Sequence, residues 1–179
     1  WNAVEGVNYY LPYAPVLRYI SKRVILARAA VNRWWCYQYD VKNAYVLAPL
    51  KEGHVVILQQ PPGMVKYGPN GEQLVLFLKR GLYGLPSSGR NFADLLSEKL
   101  LGMGLKRSTV DASVYWNESI TVGVYVDDLI VSVANEDSRV WFETELDMAF
   151  PDKIKREGKV SWCLGMKIEQ DIVKGFTSI

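Results

Sequence analysis

Two adjacent carboxylates, Asp127 and Asp128, lie between two apolar, β-branched runs, residues 120–126 and 129–134. A buried carboxylate is costly unless it is paired or bound to a cation, and two side by side raise each other's pKa. A third, Asp40, closes the aromatic run Trp34-Trp35-Cys36-Tyr37-Gln38-Tyr39. If the strands that carry them are neighbours in one sheet, Asp40 and Asp127 can converge as hard oxygen ligands for two Mg²⁺ ions. That arrangement clamps the attacking and leaving oxygens of a phosphoryl transfer. The bland alternative is an Asp-Asp turn in an ordinary hairpin, where acids at a loop tip are common.

The pattern supplies elements to position these acids. Residues 34–40 read as a strand, 114–116 and 121–126 as two strands joined at Asn117-Glu118-Ser119, and 129–134 as the return arm past the acids. From residue 14 to about 33 the period is helical, with Leu17, Ile20, Val24, Ala27 and Val31 on one face and Arg18, Lys22 and Arg28 off it. That apolar face is expected to pack on the sheet. Residues 55–60 and 74–78 form a hairpin bracketed by Pro49, Gly53 and the Pro61-Pro62-Gly63 turn. Ser87 or Ser88 caps a helix with Phe92, Leu95, Leu96, Leu100 and Met103 inward, ended by Gly102 and Gly104. Asn135 caps a last helix to about Phe150, with Phe142, Leu146 and Ala149 inside, and residues 159–179 read as a hairpin around Asp171. Residues 1–13 are irregular, broken by Asn8 and Pro12. This order predicts an α+β fold with helices on one face of a largely antiparallel sheet.

Composition bounds the reading. With 179 residues, 49% hydrophobic and 22% charged, the chain is one large domain or two small packed ones, not a disordered segment. A net charge of +2 permits a nucleic-acid partner without announcing one. The clusters Arg18, Lys22, Arg23, Arg28 and Lys153, Lys155, Arg156, Lys159 suit either a phosphate backbone or a solvated face. Cys36 and Cys163 lack metal-type spacing, and His54 is the single histidine, so they read as reduced, buried thiols of an intracellular protein. No apolar run approaches the ~20 residues of a membrane span and no signal peptide is visible, so no membrane partner is expected. Starting on Trp1, the chain reads as an excerpt from a longer polypeptide.

Tyr125-Val126-Asp127-Asp128 together with Asp40-Val41-Lys42-Asn43-Ala44-Tyr45 resembles the polymerase motifs of reverse transcriptases, in particular those of Ty1/copia-type long-terminal-repeat retrotransposons. Further segments resemble the same family in the same order: Tyr13-Ala14-Pro15-Val16, Gln59-Gln60-Pro61-Pro62-Gly63, Gly81-Leu82-Tyr83-Gly84-Leu85 and Leu164-Gly165-Met166-Lys167-Ile168. The resemblance implies a polymerase palm with part of the fingers across residues 1–179, ending at a primer-grip-like hairpin, with thumb and ribonuclease H absent. It implies an RNA-directed DNA polymerase that extends a DNA primer on an RNA or DNA template. By resemblance Asp40, Asp127 and Asp128 are catalytic and, with the Val41 carbonyl, hold two Mg²⁺, with Mn²⁺ as a substitute. Asn43, Ala44 and Tyr45 would cradle the nucleotide, Tyr45 excluding a ribose 2′-hydroxyl, with Val126 and Ser87 also nucleotide-binding. Tyr125, Cys163, Leu164, Gly165 and Met166 would contact the primer. Implied partners are template-primer, deoxynucleoside triphosphates and the integrase, protease and ribonuclease H of a polyprotein. The implied place is a cytoplasmic virus-like particle, and the nucleus.

Departures bear on activity. Ser87 stands where the family commonly has a Gln that contacts the nucleotide, and a short hydroxyl cannot reach as far as an amide. Val46-Leu47-Ala48-Pro49 replaces the usual Leu-Asn-Gly, and no basic segment precedes Gly6-Val7-Asn8-Tyr9. The isolated piece is therefore expected to be weakly active or inactive. The competing readings are a decayed or host-adopted copy that binds nucleic acid without polymerising, and a Ca²⁺-binding or purely structural α+β domain.

Overall fold

A computed structural model describes residues 13–178. The elements in chain order are α1 (Tyr19–Asn32), β1 (Trp35–Val41), α2 (Ala44–Leu47), β2 (Ile57–Leu58), β3 (Leu76–Phe77), α3 (Ser88–Gly102), β4 (Lys106–Arg107), β5 (Val114–Trp116), β6 (Ile120–Tyr125), β7 (Asp128–Val133), α4 (Glu136–Ala149), β8 (Ile154–Lys159), β9 (Trp162–Cys163), β10 (Met166–Lys167), β11 (Glu169–Asp171) and β12 (Phe176–Ser178). Among the described residues one compact unit takes Tyr13 and 44–95, and the other takes 14–43 and 96 onward. The expected irregular start and the segment Gly6-Val7-Asn8-Tyr9 lie outside the described residues.

The larger unit is built on an antiparallel sheet of order β4-β5-β6-β7-β1-β8. Its middle strands β6 and β7 are the β-branched runs, buried along nearly their whole length, as strands covered on both faces must be. Residues opposite each other across a ladder share a face, so Cys36, Gln38 and Asp40 of β1 lie with Ser132, Ile130 and Asp128 of β7. Cys36 and Ile130 pack with Leu17, Ile25, Leu26 and Ala29 of the α1 segment. The alternate residue Tyr39 instead meets Phe142 of α4 edge-on, ring centroids 5.8 Å apart. Helices therefore cover both faces of the sheet, not one. Alternation explains it: β1 carries apolar or aromatic side chains at successive positions, so each face needs its own cover.

α1 also turns a different side inward from the one its hydrophobicity suggests. Ile20, Val24 and Val31 are 63%, 59% and 82% exposed, while Lys22, Ile25, Leu26 and Ala29 are buried. The helix starts at Tyr19; the preceding chain is extended, the Leu17 N–H donating to the Val124 carbonyl (2.9 Å), and this contact fixes the rotation. Arg33 closes the helix in the left-handed region (φ 58°), its N–H donating to carbonyls of the last turn. The Asn135 cap of α4 is as expected: its side-chain oxygen accepts from the Ser138 N–H at 2.8 Å.

Two regions near the C-terminus depart from expectation. The basic cluster of the sequence holds β8, an edge strand on which Lys155 pairs with Glu157, and Arg156 with Glu143 and Asp147. In place of one hairpin around Asp171 there are two, β9–β10 and β11–β12. Asp171 ends β11 and accepts from the Lys174 N–H. Two separate turn signals produce this, Gly165 and Gly175, each at positive φ (77° and 65°).

In the smaller unit β2 and β3 do pair, but over only two residues each, with Val55, Ile57, Val75 and Phe77 exposed. Gln60 explains the motif that carries it. Its buried amide donates to the Lys66 and Leu74 carbonyls and accepts from the Lys66 N–H, clamping the Pro-Pro-Gly loop from inside. At the start of α3 the Ser88 hydroxyl binds the Leu82 N–H and carbonyl, so it holds the preceding loop and does not cap the helix.

Candidate active site

The β6–β7 hairpin turns on two residues, Val126 and Asp127, with Tyr125 paired to Asp128. Val126 sits at φ 58°, a region a β-branched residue rarely enters. The turn is fixed to β1 because the Val41 N–H donates to the Asp127 carbonyl at 2.9 Å. Asp40 and Asp128 are direct partners across the β1–β7 ladder, and Lys155 is the partner of Asp40 on the β8 side. Acids far apart in sequence are thus brought together by strand register.

Their electrostatics follow. Partial burial, then the charge of Asp127, push the Asp40 carboxyl above the ordinary carboxylate range, with Lys155 and Lys42 pulling the other way. Asp128 is pushed up by burial, then by Asp127 and Asp40, against a hydrogen bond from the Gln38 side chain. Gln38 and Lys155 are neighbours of these acids that strand register reveals and no motif marks, Lys155 standing out in sequence only as one of a basic cluster. Carboxylate oxygens under mutual repulsion are the donor type that a hard divalent cation takes. Among the described residues no three His, Cys, Asp or Glu side chains converge closely enough to hold an ion as they stand.

Of the expected primer-contacting residues, Tyr125 ends β6, and Cys163, Leu164, Gly165 and Met166 form the β9–β10 hairpin. Leu164 (φ 48°) and Gly165 (φ 77°) make its turn and Cys163 pairs with Met166. Cys163, Leu164 and Met166 pack into the cluster that contains Ile130, the next residue after Asp128 on that face of β7. The Cys163 thiol is raised by burial, lowered by Lys22 and raised by Asp128, so it lies in the field of both.

Past β1, Lys42 and Asn43 form a turn, Asn43 at φ 57° and exposed. Ala44 and Tyr45 open α2 in the smaller unit. There Tyr45 packs on Tyr83, ring centroids 5.0 Å apart, and its carbonyl lies so close to Gly81 that a Cβ at Gly81 would stand 2.2 Å away. Ser87 is 3% exposed and its hydroxyl has no hydrogen-bond partner among the described residues, so reaching a nucleotide would require its surroundings to open.

Residues 1–177 match the family described as reverse transcriptase (RNA-dependent DNA polymerase). The chain belongs to the Ty1/copia-type reverse transcriptase family. Its relatives include the retrovirus-related Pol polyprotein from transposon RE1 of Arabidopsis thaliana, 31% identical over 137 residues, which is 74% of this chain and 9% of that protein. The transposon Ty1-DR4 Gag-Pol polyprotein of Saccharomyces cerevisiae is 28% identical over 135 residues, 75% of this chain and 8% of the yeast protein. The chain thus spans a small part of the polyproteins it resembles. The family match spans the cross-strand acids, their adjoining turn and the β9–β10 hairpin.

Proposed function

We propose that the chain is the catalytic palm, with part of the fingers, of an RNA-directed DNA polymerase within a Ty1/copia-type polyprotein. The observation that carries the reading is the Asp40–Asp128 cross-strand pair with Asp127 at the adjoining turn, in a chain of this family. The reaction joins a primer 3′-oxygen to the α-phosphorus of a deoxynucleoside triphosphate and releases pyrophosphate.

Asp40, Asp127, Asp128 and the Val41 carbonyl would hold two Mg²⁺ or Mn²⁺ ions, which when bound supply neutralisation of the charge on the reacting oxygens. The protein's own work is positioning. The ladder sets Asp40 against Asp128, and the Val41 N–H fixes the turn that carries Asp127. Turn amides at Asn43, Ala44 and Tyr45 suit a triphosphate, and the Tyr45 ring, braced by Tyr83, suits a barrier to a 2′-hydroxyl. Tyr125, Val126 and the β9–β10 turn would hold the primer end. The partners on this reading are template-primer and the neighbouring integrase and ribonuclease H, in a cytoplasmic virus-like particle and the nucleus.

The test is primer extension on an RNA template with Mg²⁺ or Mn²⁺, using a version lengthened at both ends. Templated extension that disappears in Asp40→Asn supports the reading. Duplex binding with no extension under either ion would favour a nucleic-acid binder in its place.

A further inference from the structure

Lys22, in the middle of α1, is 1% exposed. Its ammonium donates to the carbonyls of Cys163 and Leu164, each 3.1 Å away, and lies 5.2 Å from the centre of the Tyr19 ring. Both carbonyls belong to the β9–β10 turn, where Leu164 and Gly165 hold left-handed backbone. A two-residue ladder leaves such a turn with few ties of its own, and Lys22 supplies two from a helix 141 residues away in sequence. Lysine is a poor choice for this place on packing grounds alone. An ammonium out of water is costly, and here its partners are neutral carbonyls, not a carboxylate. A methionine of similar length would fill the space without that cost.

What the lysine adds is a directed point charge with donors and no acceptor, able to hold two carbonyls at once. The held turn stands beside the acids. Cys163 packs in one cluster with Ile130, which follows Asp128 on the same face of β7.

We propose that Lys22 is a positioning residue that fixes the β9–β10 turn beside Asp128 and so sets where a primer 3′ end is held. The primer clause rests on the polymerase reading above; the anchoring does not.

Two measurements on Lys22→Met in the lengthened polymerase separate these. The first is amide hydrogen exchange together with melting. The variant melts at the same temperature or higher, while exchange at residues 162–167 accelerates about tenfold and the central strands stay as slow as before. Unchanged exchange at 162–167 overturns the anchor. A lowered melting temperature with faster exchange throughout also overturns it, because that marks a lysine that only supports the fold. The second is steady-state extension, where the KM for primer-template rises about tenfold while the KM for nucleotide stays within about twofold. Equal rises in both KM values overturn the primer clause even if the turn has loosened. A wild-type enzyme that extends no primer overturns the polymerase reading and that clause with it, leaving exchange to decide the anchor.

Discussion

Asp40 and Asp128 stand directly opposite each other at the end of the β1–β7 ladder, beside the β6–β7 turn. Like charges in that relation are destabilising, where other cross-strand pairs help hold a sheet together. Here β-branched burial along β6 and β7 supports the fold, and the acids are carried at its expense. Such stored repulsion is relieved by a proton or a cation, so it is visible in stability measurements before any catalysis is assayed.

Asp128→Asn should raise the melting temperature at pH 7 in metal-free buffer by a few degrees. Burial and the neighbouring acids raise the Asp128 carboxyl above its unfolded value, so the folded state binds its proton more tightly. For a group shifted in that direction, stability falls as pH rises from the unfolded pKa through the folded one, and the penalty is complete above the latter. The advantage of the Asn variant should therefore shrink as pH is lowered through the carboxylate range. A gain that grows toward acid pH would contradict the repulsion.

Gly81→Ala should cost more stability than Gly123→Ala, although both glycines are buried. At Gly81 an added Cβ would meet the Tyr45 carbonyl at 2.2 Å, and this backbone atom cannot move without shifting α2. At Gly123 the nearest atoms are the ends of Ile25, Leu17 and Ile130 side chains, at 2.7, 2.9 and 3.0 Å, which can rotate away. Overpacking of this kind costs about 1–3 kcal/mol, and Gly81 should fall at the upper end. Urea unfolding of the two variants decides the order.

The strands that carry the acids were legible because an aromatic run at β1 and β-branched runs at β6 and β7 are local signals, as was the Asn135 cap of α4. The rotation of α1 was not. Its apolar stripe of Ile20, Val24 and Val31 is the stronger periodic signal, but the buried side is chosen by the extended chain at Leu17 and by the distant β9–β10 turn. β8 gave no strand signal because an edge strand facing water can be made of Lys, Arg and Glu. The motif acids were readable in sequence as a set, whereas Gln38 and Lys155 act on them only through register and have no motif of their own.

Tyr45→Ala should admit ribonucleotides into product. On the proposed reading the Tyr45 ring, packed on Tyr83, is the barrier to a ribose, and removing it opens room for a 2′-hydroxyl. Single-nucleotide extension with matched deoxy and ribo substrates should show discrimination falling by about tenfold or more, the size expected for losing a steric contact of 1–3 kcal/mol. Unchanged sugar preference, with a drop in melting temperature, would make Tyr45 a packing residue of the smaller unit only.

Asp127→Asn should abolish extension in the lengthened polymerase without unfolding it. The residue is in the β6–β7 turn, and the contact that fixes that turn uses its backbone carbonyl, accepting from the Val41 N–H, which an Asn retains. The side chain loses a negative charge that weighs on both Asp40 and Asp128, so the metal-free fold should melt no lower than the wild type. On the proposed metal assignment the same carboxylate is one of the hard oxygen ligands, and its loss should lower the rate by orders of magnitude. Added Mg²⁺ should accordingly raise the melting temperature of the wild type more than that of Asp127→Asn. An active Asp127→Asn enzyme would remove the metal assignment, and an inactive one with a collapsed melting transition would show the residue to be structural.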